Sequence, residues 1–311
     1  MSEIESDDEP KRNIPLDSAL PEWLKGLPEQ SGPYAALARW DRPVGIWLLL
    51  LPCWMGLALM RIPAGFQWID LIWIVLFAIG AIAMRGAGCT WNDIQDKDFD
   101  AQVTRTASRP IPAGDVTVQQ AYMFLAAQLG VGFLVWVFLP TDAKIVALLS
   151  IPLVLAYPYM KRITWWPQAW LGFTFNFGAL VGAATATSVT GATVVLYLGL
   201  VFWTVAYDTT YALQDREEDE LIGVKSTARL FGDKVLTGIF VFHMAATALI
   251  FLGAYFAGAG RIGALLALGF FRGLWWQVMR MVGVAGAILL ARSLAPRFEP
   301  QLLDQFPELS P

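Results

Sequence analysis

Two short stretches of the chain carry residue types that could do chemistry. The first, Met84–Asp100, reads MRGAGCTWNDIQDKDFD and closes a long apolar run. Asn92, Asp96 and Asp100 stand at i, i+4 and i+8, so on a helix they share one face, and Arg85 lies two turns before Asn92 on that same face. Carboxylates are misplaced at a helix C-terminus, where the last carbonyls already carry partial negative charge. Something cationic should therefore sit there. Amide and carboxylate oxygens suit a hard divalent ion, and Mg²⁺ commonly brings phosphate with it.

The second stretch, Tyr207–Asp219, reads YDTTYALQDREED. Asp208, Asp215 and Asp219 stand at i, i+7 and i+11, which is the spacing of Arg85, Asn92 and Asp96. A basic loop follows each stretch, Arg105-Thr-Ala-Ser-Arg109 in one and Lys225-Ser-Thr-Ala-Arg229 in the other. The pattern reads as a degenerate internal repeat of about a hundred residues. Two acidic helix ends, each with basic residues downstream, suggest two metal sites facing one diphosphate. Asp208 lies inside an apolar run, where an ionisable group is costly and is a functional candidate by default. Asp98, Glu217, Glu218 and Glu220 read instead as solvated charges. Arg85, a turn or two inside the membrane, is either paired with a neighbouring carboxylate for structure or a bidentate clamp for a substrate carboxylate. Tyr157-Pro-Tyr-Met-Lys161-Arg162 is either an interfacial aromatic belt with basic flanks or a phosphate contact.

These residues must be held by something, and the composition says what. Of 311 residues 56% are hydrophobic and only 15% charged, mean hydropathy is +0.52 and there are 14 Trp. That is the composition of a polytopic membrane protein. One His and two Cys, Cys53 and Cys89, argue against a zinc site, a disulfide framework or a His/Cys/Ser triad, and both cysteines read as small packing residues.

Residues 1–32 form an acidic, Pro-containing tail with no signal-peptide core. Pro33 to Arg42 reads as an interfacial helix. Apolar spans of the length a bilayer needs follow at 43–60, 68–91, 117–139, 143–160, 166–187, 192–213 and 235–256. An eighth begins near Arg261, and a ninth would have to run past Arg292. The membrane domain is thus 33–295, with a polar tail at 296–311. Lys and Arg collect before the first span and after the second, fourth and sixth, which puts both acidic stretches on the cytoplasmic side. Small residues such as those of Gly178–Thr185 read as helix-packing positions.

At this point the residues carry a resemblance. Asn92-Asp-x-x-Asp96-x-x-x-Asp100 and Asp208-x-x-Tyr211-Ala-x-x-Asp215-x-x-x-Asp219 resemble the two aspartate-rich motifs of the UbiA superfamily of intramembrane prenyltransferases. Arg39-x-Asp41-Arg42-Pro43-x-Gly45, Arg85-x-x-Gly88-Cys-x-x-Asn92-Asp, Arg105-Thr-Ala-Ser-Arg109-Pro, Tyr157-x-x-x-Lys161-Arg162 and Lys225-Ser-Thr-Ala are similar to the 4-hydroxybenzoate polyprenyltransferase branch. The likeness covers about residues 34 to 260.

The resemblance implies an all-α fold of eight to nine transmembrane helices around a central cavity. It implies Mg²⁺ held by Asn92, Asp96 and Asp100 on one side and by Asp208, Asp215 and Asp219 on the other. Arg105, Arg109, Tyr157, Lys161 and Lys225 would hold the diphosphate of a polyprenyl diphosphate. Arg85, with Asn92, would hold an aromatic acceptor, and Asp96, Asp215 and Arg85 would be the catalytic set. The implied reaction is Mg²⁺-dependent prenylation of 4-hydroxybenzoate in ubiquinone biosynthesis, at a bacterial inner membrane with the N-terminus cytoplasmic. Another acceptor (homogentisate, a naphthoate, a tetrapyrrole) or a cation transporter remains open as an alternative. After about Met281 the chain departs from the family pattern.

Overall fold

The computed structural model describes residues 28–101, 106–213, 216–221 and 223–260, with Gly263 and Gly269. The acidic tail, the eighth and ninth spans and the polar C-terminal tail expected above lie outside the described residues. All regular structure within them is helical. A short helix, α1 (Gly32–Leu37), precedes α2 (Val44–Ala64), α3 (Ile69–Asp100), α4 (Val118–Phe138), α5 (Thr141–Leu149) and α6 (Ile151–Ile163). Then come α7 (Pro167–Phe175), α8 (Gly178–Ala186), α9 (Gly191–Ala212), α10 (Arg216–Leu221), α11 (Thr227–Phe231) and α12 (Val235–Phe256). Among the described residues seven helical segments are long and apolar enough to cross a membrane, and all seven overlap expected spans. Apolar side chains on their outer faces stay bare, as with Met123 at 67% and Phe138 at 65% exposure on α4. Lipid is what such a surface asks for. The chain is a multi-pass membrane protein.

Two spans are each built from two helices. The span Thr141–Ile163 breaks at Ser150, where Pro152 removes an N–H that the continuing ladder would need. The span Pro167–Ala186 breaks after α7, and there Asn176, 1% exposed, ties the break to α9. Its amide donates to Gly172 O at 2.8 Å, to Leu200 O at 3.2 Å and to Thr204 Oγ1 at 2.7 Å, while the Tyr197 hydroxyl donates to Phe173 O at 2.8 Å. Irregular backbone survives at membrane depth only when its polar groups are met in this way.

The chain divides into two compact units. The first comprises residues 1–58, 65–158 and 177–188. In it α3 packs on α4, and α5 on α8. Leu50 and Leu57 of α2, Phe77 and Ala81 of α3, Leu139, Ala143 and Ala184 share a buried core. α2 and α8 meet almost backbone to backbone: a methyl added at Gly182 would overlap the Cys53 carbonyl, and one at Gly56 the Ala179 carbonyl. The second unit comprises residues 59–64, 159–176 and 189–311. It is organised on α9, which packs along α12 and α7, with Ala206, Leu213, Ala228, Val235 and Ile239 as its core.

The expected interfacial helix over Pro33–Arg42 is shorter than its sequence suggests. It ends at Leu37 because Arg39 takes a left-handed conformation, φ 56°, in which no α-helix can continue. Pro43 further disfavours helix at Arg42.

Candidate active site

α3 does not stop at the membrane boundary. It runs unbroken through the acidic stretch, so one rigid rod carries Arg85, Asn92, Asp96 and Asp100. Asp96 and Asp100 are buried, at 1% and 3% exposure, whereas Asp98 points out. The Asn92 amide donates to Asp96 Oδ2 at 3.3 Å. Arg85 is half-buried, and its guanidinium lies over Gly45 in the first turn of α2, so closely that any Cβ at Gly45 would strike it.

From Thr106 to Arg109 the chain lies against the end of α3. Thr106 donates its hydroxyl to Asp100 O at 2.9 Å, and the turn carries Arg109 to the Asp100 carboxylate, Nη1 to Oδ2 at 2.7 Å. The same nitrogen reaches Asp93 Oδ1 at 3.4 Å. Asp93, 1% exposed, also receives Arg39 Nη2 on both oxygens, at 2.8 and 2.9 Å, and Arg39 Nη1 donates to Ala36 O at 2.7 Å. Burial works against the charge of Arg39 and is the largest single effect, yet the facing Asp93 carboxylate, together with Cys89 and Asp41, outweighs it and holds the guanidinium above its ordinary pKa.

In the second unit the loop carrying Lys225 is pinned from below. Thr227 N donates to Gln168 Oε1 at 3.0 Å, and the Thr227 and Thr209 hydroxyls bond at 2.6 Å. All three residues are buried. Lys225 N donates to Lys161 O at 3.0 Å and Lys225 Nζ to Ile163 O at 3.1 Å, which brings the two expected phosphate-binding lysines side by side. Arg229 donates to the carbonyls of Asp219 and Val224 and lies over the Trp165 ring at 5.4 Å. Asp208 is half-buried near the end of α9, and Tyr157 is half-buried in α6 of the first unit. Arg105 and Asp215 lie outside the described residues.

The donor set at the end of α3 fits a hard cation. Asn92, half-buried, and Asp96, buried, offer oxygens side by side. Among the described residues no three His, Cys, Asp or Glu side chains converge as a complete metal cage. Mg²⁺ rarely uses such a cage and instead combines one or two carboxylates with waters and substrate phosphates.

A sequence model of the UbiA prenyltransferase family matches residues 49–285. The chain belongs to that family. This UbiA-family chain is 46% identical over 259 residues to a protein of Aedes aegypti named mitochondrial 4-hydroxybenzoate polyprenyltransferase, a match covering 83% of this chain and 55% of the relative. It is 44% identical to the rat protein of that name and 43% to the human one, each over 78% of this chain and over 67% and 68% of the relative. The chain therefore spans between half and about two thirds of the length of these relatives. Among solved structures it is similar to a UbiA homolog from Aeropyrum pernix, with TM-score 0.60, 27% identity, and coverage of 80% of this chain and 99% of that one. It also shares the fold of a UbiA homolog from Archaeoglobus fulgidus bound to GPP and Mg²⁺, with TM-score 0.62, 16% identity, and coverage of 79% and 86%.

Sequence reasoning missed Asp93 as an anchor and placed Arg39 merely at headgroup level. Their partnership spans 54 positions, so no local spacing announces it. The same holds for Gln168 with Thr227, 59 positions apart.

Proposed function

We propose that this protein transfers a polyprenyl group from a polyprenyl diphosphate to the ring of 4-hydroxybenzoate, as its similarly named relatives suggest, with Mg²⁺ as cofactor and ubiquinone biosynthesis as the context. The observation that carries the proposal is α3 itself, one continuous helix bearing Arg85 and, two to four turns on, the Asn92–Asp96 pair and the Asp100–Arg109 pair.

Arg109, with Arg105, Tyr157, Lys161 and Lys225, holds the diphosphate oxygens and takes up the charge that grows on them as the allylic C–O bond breaks. Mg²⁺ held by Asn92, Asp96 and Asp100 and by Asp208, Asp215 and Asp219 would neutralise the diphosphate and improve it as a leaving group. Arg85, assisted by Asn92, pairs with the carboxylate of the acceptor and turns the electron-rich ring toward the allylic carbon. The C–O electron pair leaves with the diphosphate, a ring carbon bonds the allylic carbon, and loss of the ring proton restores aromaticity. The membrane-facing walls keep water from quenching the allylic cation. We place the chain in a bacterial inner membrane, and the basic residues flanking the acidic stretches support a site on its cytoplasmic face.

The test is direct. Membranes holding the full chain are incubated with 4-hydroxybenzoate and a polyprenyl diphosphate, with Mg²⁺ or with EDTA, and products are read by mass spectrometry. A prenylated benzoate that requires Mg²⁺ and disappears in Asp96→Ala and Asp215→Ala is expected. Prenylation of homogentisate or a naphthoate in its place would reassign the acceptor and keep the chemistry.

A further inference from the structure

We infer that Asp93 is a positioning residue of the diphosphate site: together with Arg39 it holds Arg109 in place so that the charge of that guanidinium is available to the diphosphate once Asp100 turns to a divalent ion. The inference rests on the reading of Arg109 as a diphosphate ligand.

Four side chains form a closed charge set at the cytoplasm-proximal end of α3: Arg39, Asp93, Arg109 and Asp100. Both Asp93 oxygens receive Arg39, and at 1% exposure that carboxylate is a counter-ion with no oxygen left uncontacted for a metal. One guanidinium suffices to neutralise it. Arg109 touches the same carboxylate at 3.4 Å but bonds Asp100 at 2.7 Å, so Asp100 is its principal ionic partner and Asp93 its second hold.

Arg109 is also incompletely used. Its Nε is buried and meets no hydrogen-bond partner. Buried donors are nearly always satisfied, and one left over at a site is a place for an acceptor the chain does not supply. An anionic phosphate oxygen is such an acceptor. Two arginines balance two carboxylates in the set. If Asp100 turns to a divalent ion, Arg109 keeps Asp93, and Asp93 is already neutralised by Arg39. One positive charge is then left, at a fixed place, to face the diphosphate. Without Asp93, Arg109 would have Asp100 as its only carboxylate in the set and would compete with the metal for it.

Binding of inorganic pyrophosphate to the purified full chain, in lipid nanodiscs with Mg²⁺, measures this by calorimetry apart from turnover. Asp93→Asn should weaken pyrophosphate binding about tenfold, the loss of one charge-assisted contact. It should also raise KM for the polyprenyl diphosphate and leave KM for the aromatic acceptor unchanged. Asp93→Asn strands the buried Arg39 charge and should lower the melting temperature. The double variant Asp93→Asn/Arg39→Gln removes both charges and should melt near the parent, yet still bind pyrophosphate about tenfold more weakly. Recovery of both stability and binding in the double variant would reduce Asp93 to a structural role and overturn the inference. Weak binding in Arg109→Gln with parental binding in Asp93→Asn would overturn it too, and leave the diphosphate site standing. Parental binding in Arg109→Gln would remove that reading of the site itself.

Discussion

At the scale of single residues, what could be foreseen is what recurs along one helix. Arg85, Asn92, Asp96 and Asp100 repeat with the helical period, and a helix running through Asp100 follows directly from that. Residues that act through distant partners carry no such sign, and Arg39 with Asp93 is the case in point. Arg85 makes the sharpest prediction here. Its guanidinium is fixed over Gly45, and a carboxylate on the acceptor would exploit both of its terminal nitrogens. Arg85→Ala should therefore raise acceptor KM by roughly thirtyfold, about 2 kcal/mol, with KM for the polyprenyl diphosphate unchanged. Steady-state kinetics in which the two substrates are varied separately would expose the alternative, an arginine that serves only the fold, by moving both constants or neither.

At the scale of elements, the apolar runs gave the seven spans that lie among the described residues nearly in place, because length and hydropathy are what a bilayer selects. Breaks within spans were not foreseen, since hydropathy is blind to them. Tyr197 and Asn176 show why they are tolerated: the Tyr197 hydroxyl meets the Phe173 carbonyl and the Asn176 amide ties the break to α9. Asn176→Ala would remove the buried amide that ties the break to Leu200 and Thr204 of α9 and should destabilise the protein by about 1–3 kcal/mol, seen as a lower melting temperature in detergent. The close contact of α2 with α8 makes a second prediction. Gly182→Val forces a side chain into the Cys53 carbonyl and should cost about 1–3 kcal/mol, whereas Gly130→Val, at a glycine with open space around it, should be nearly silent in the same melt.

At the scale of the whole molecule, α3 has 32 residues, and at about 1.5 Å each it is about 48 Å long. A hydrocarbon core is only about 30 Å thick, so the rod must overhang it. Measured from Ile69, Arg85 stands about 24 Å along the rod and Asn92 about 35 Å. On the proposed function the helix would be a ruler that fixes the depth at which a greasy chain, a polar ring and a charged leaving group come together. Its graduations do not stretch, but the medium around it does. In vesicles of graded acyl-chain length, pyrophosphate binding should stay level, while turnover should peak where lipid thickness matches the rod and fall on both sides as Arg85 is drowned in lipid or bathed in water. A membrane that merely changes its thickness would thereby tune the enzyme without touching a single residue of it.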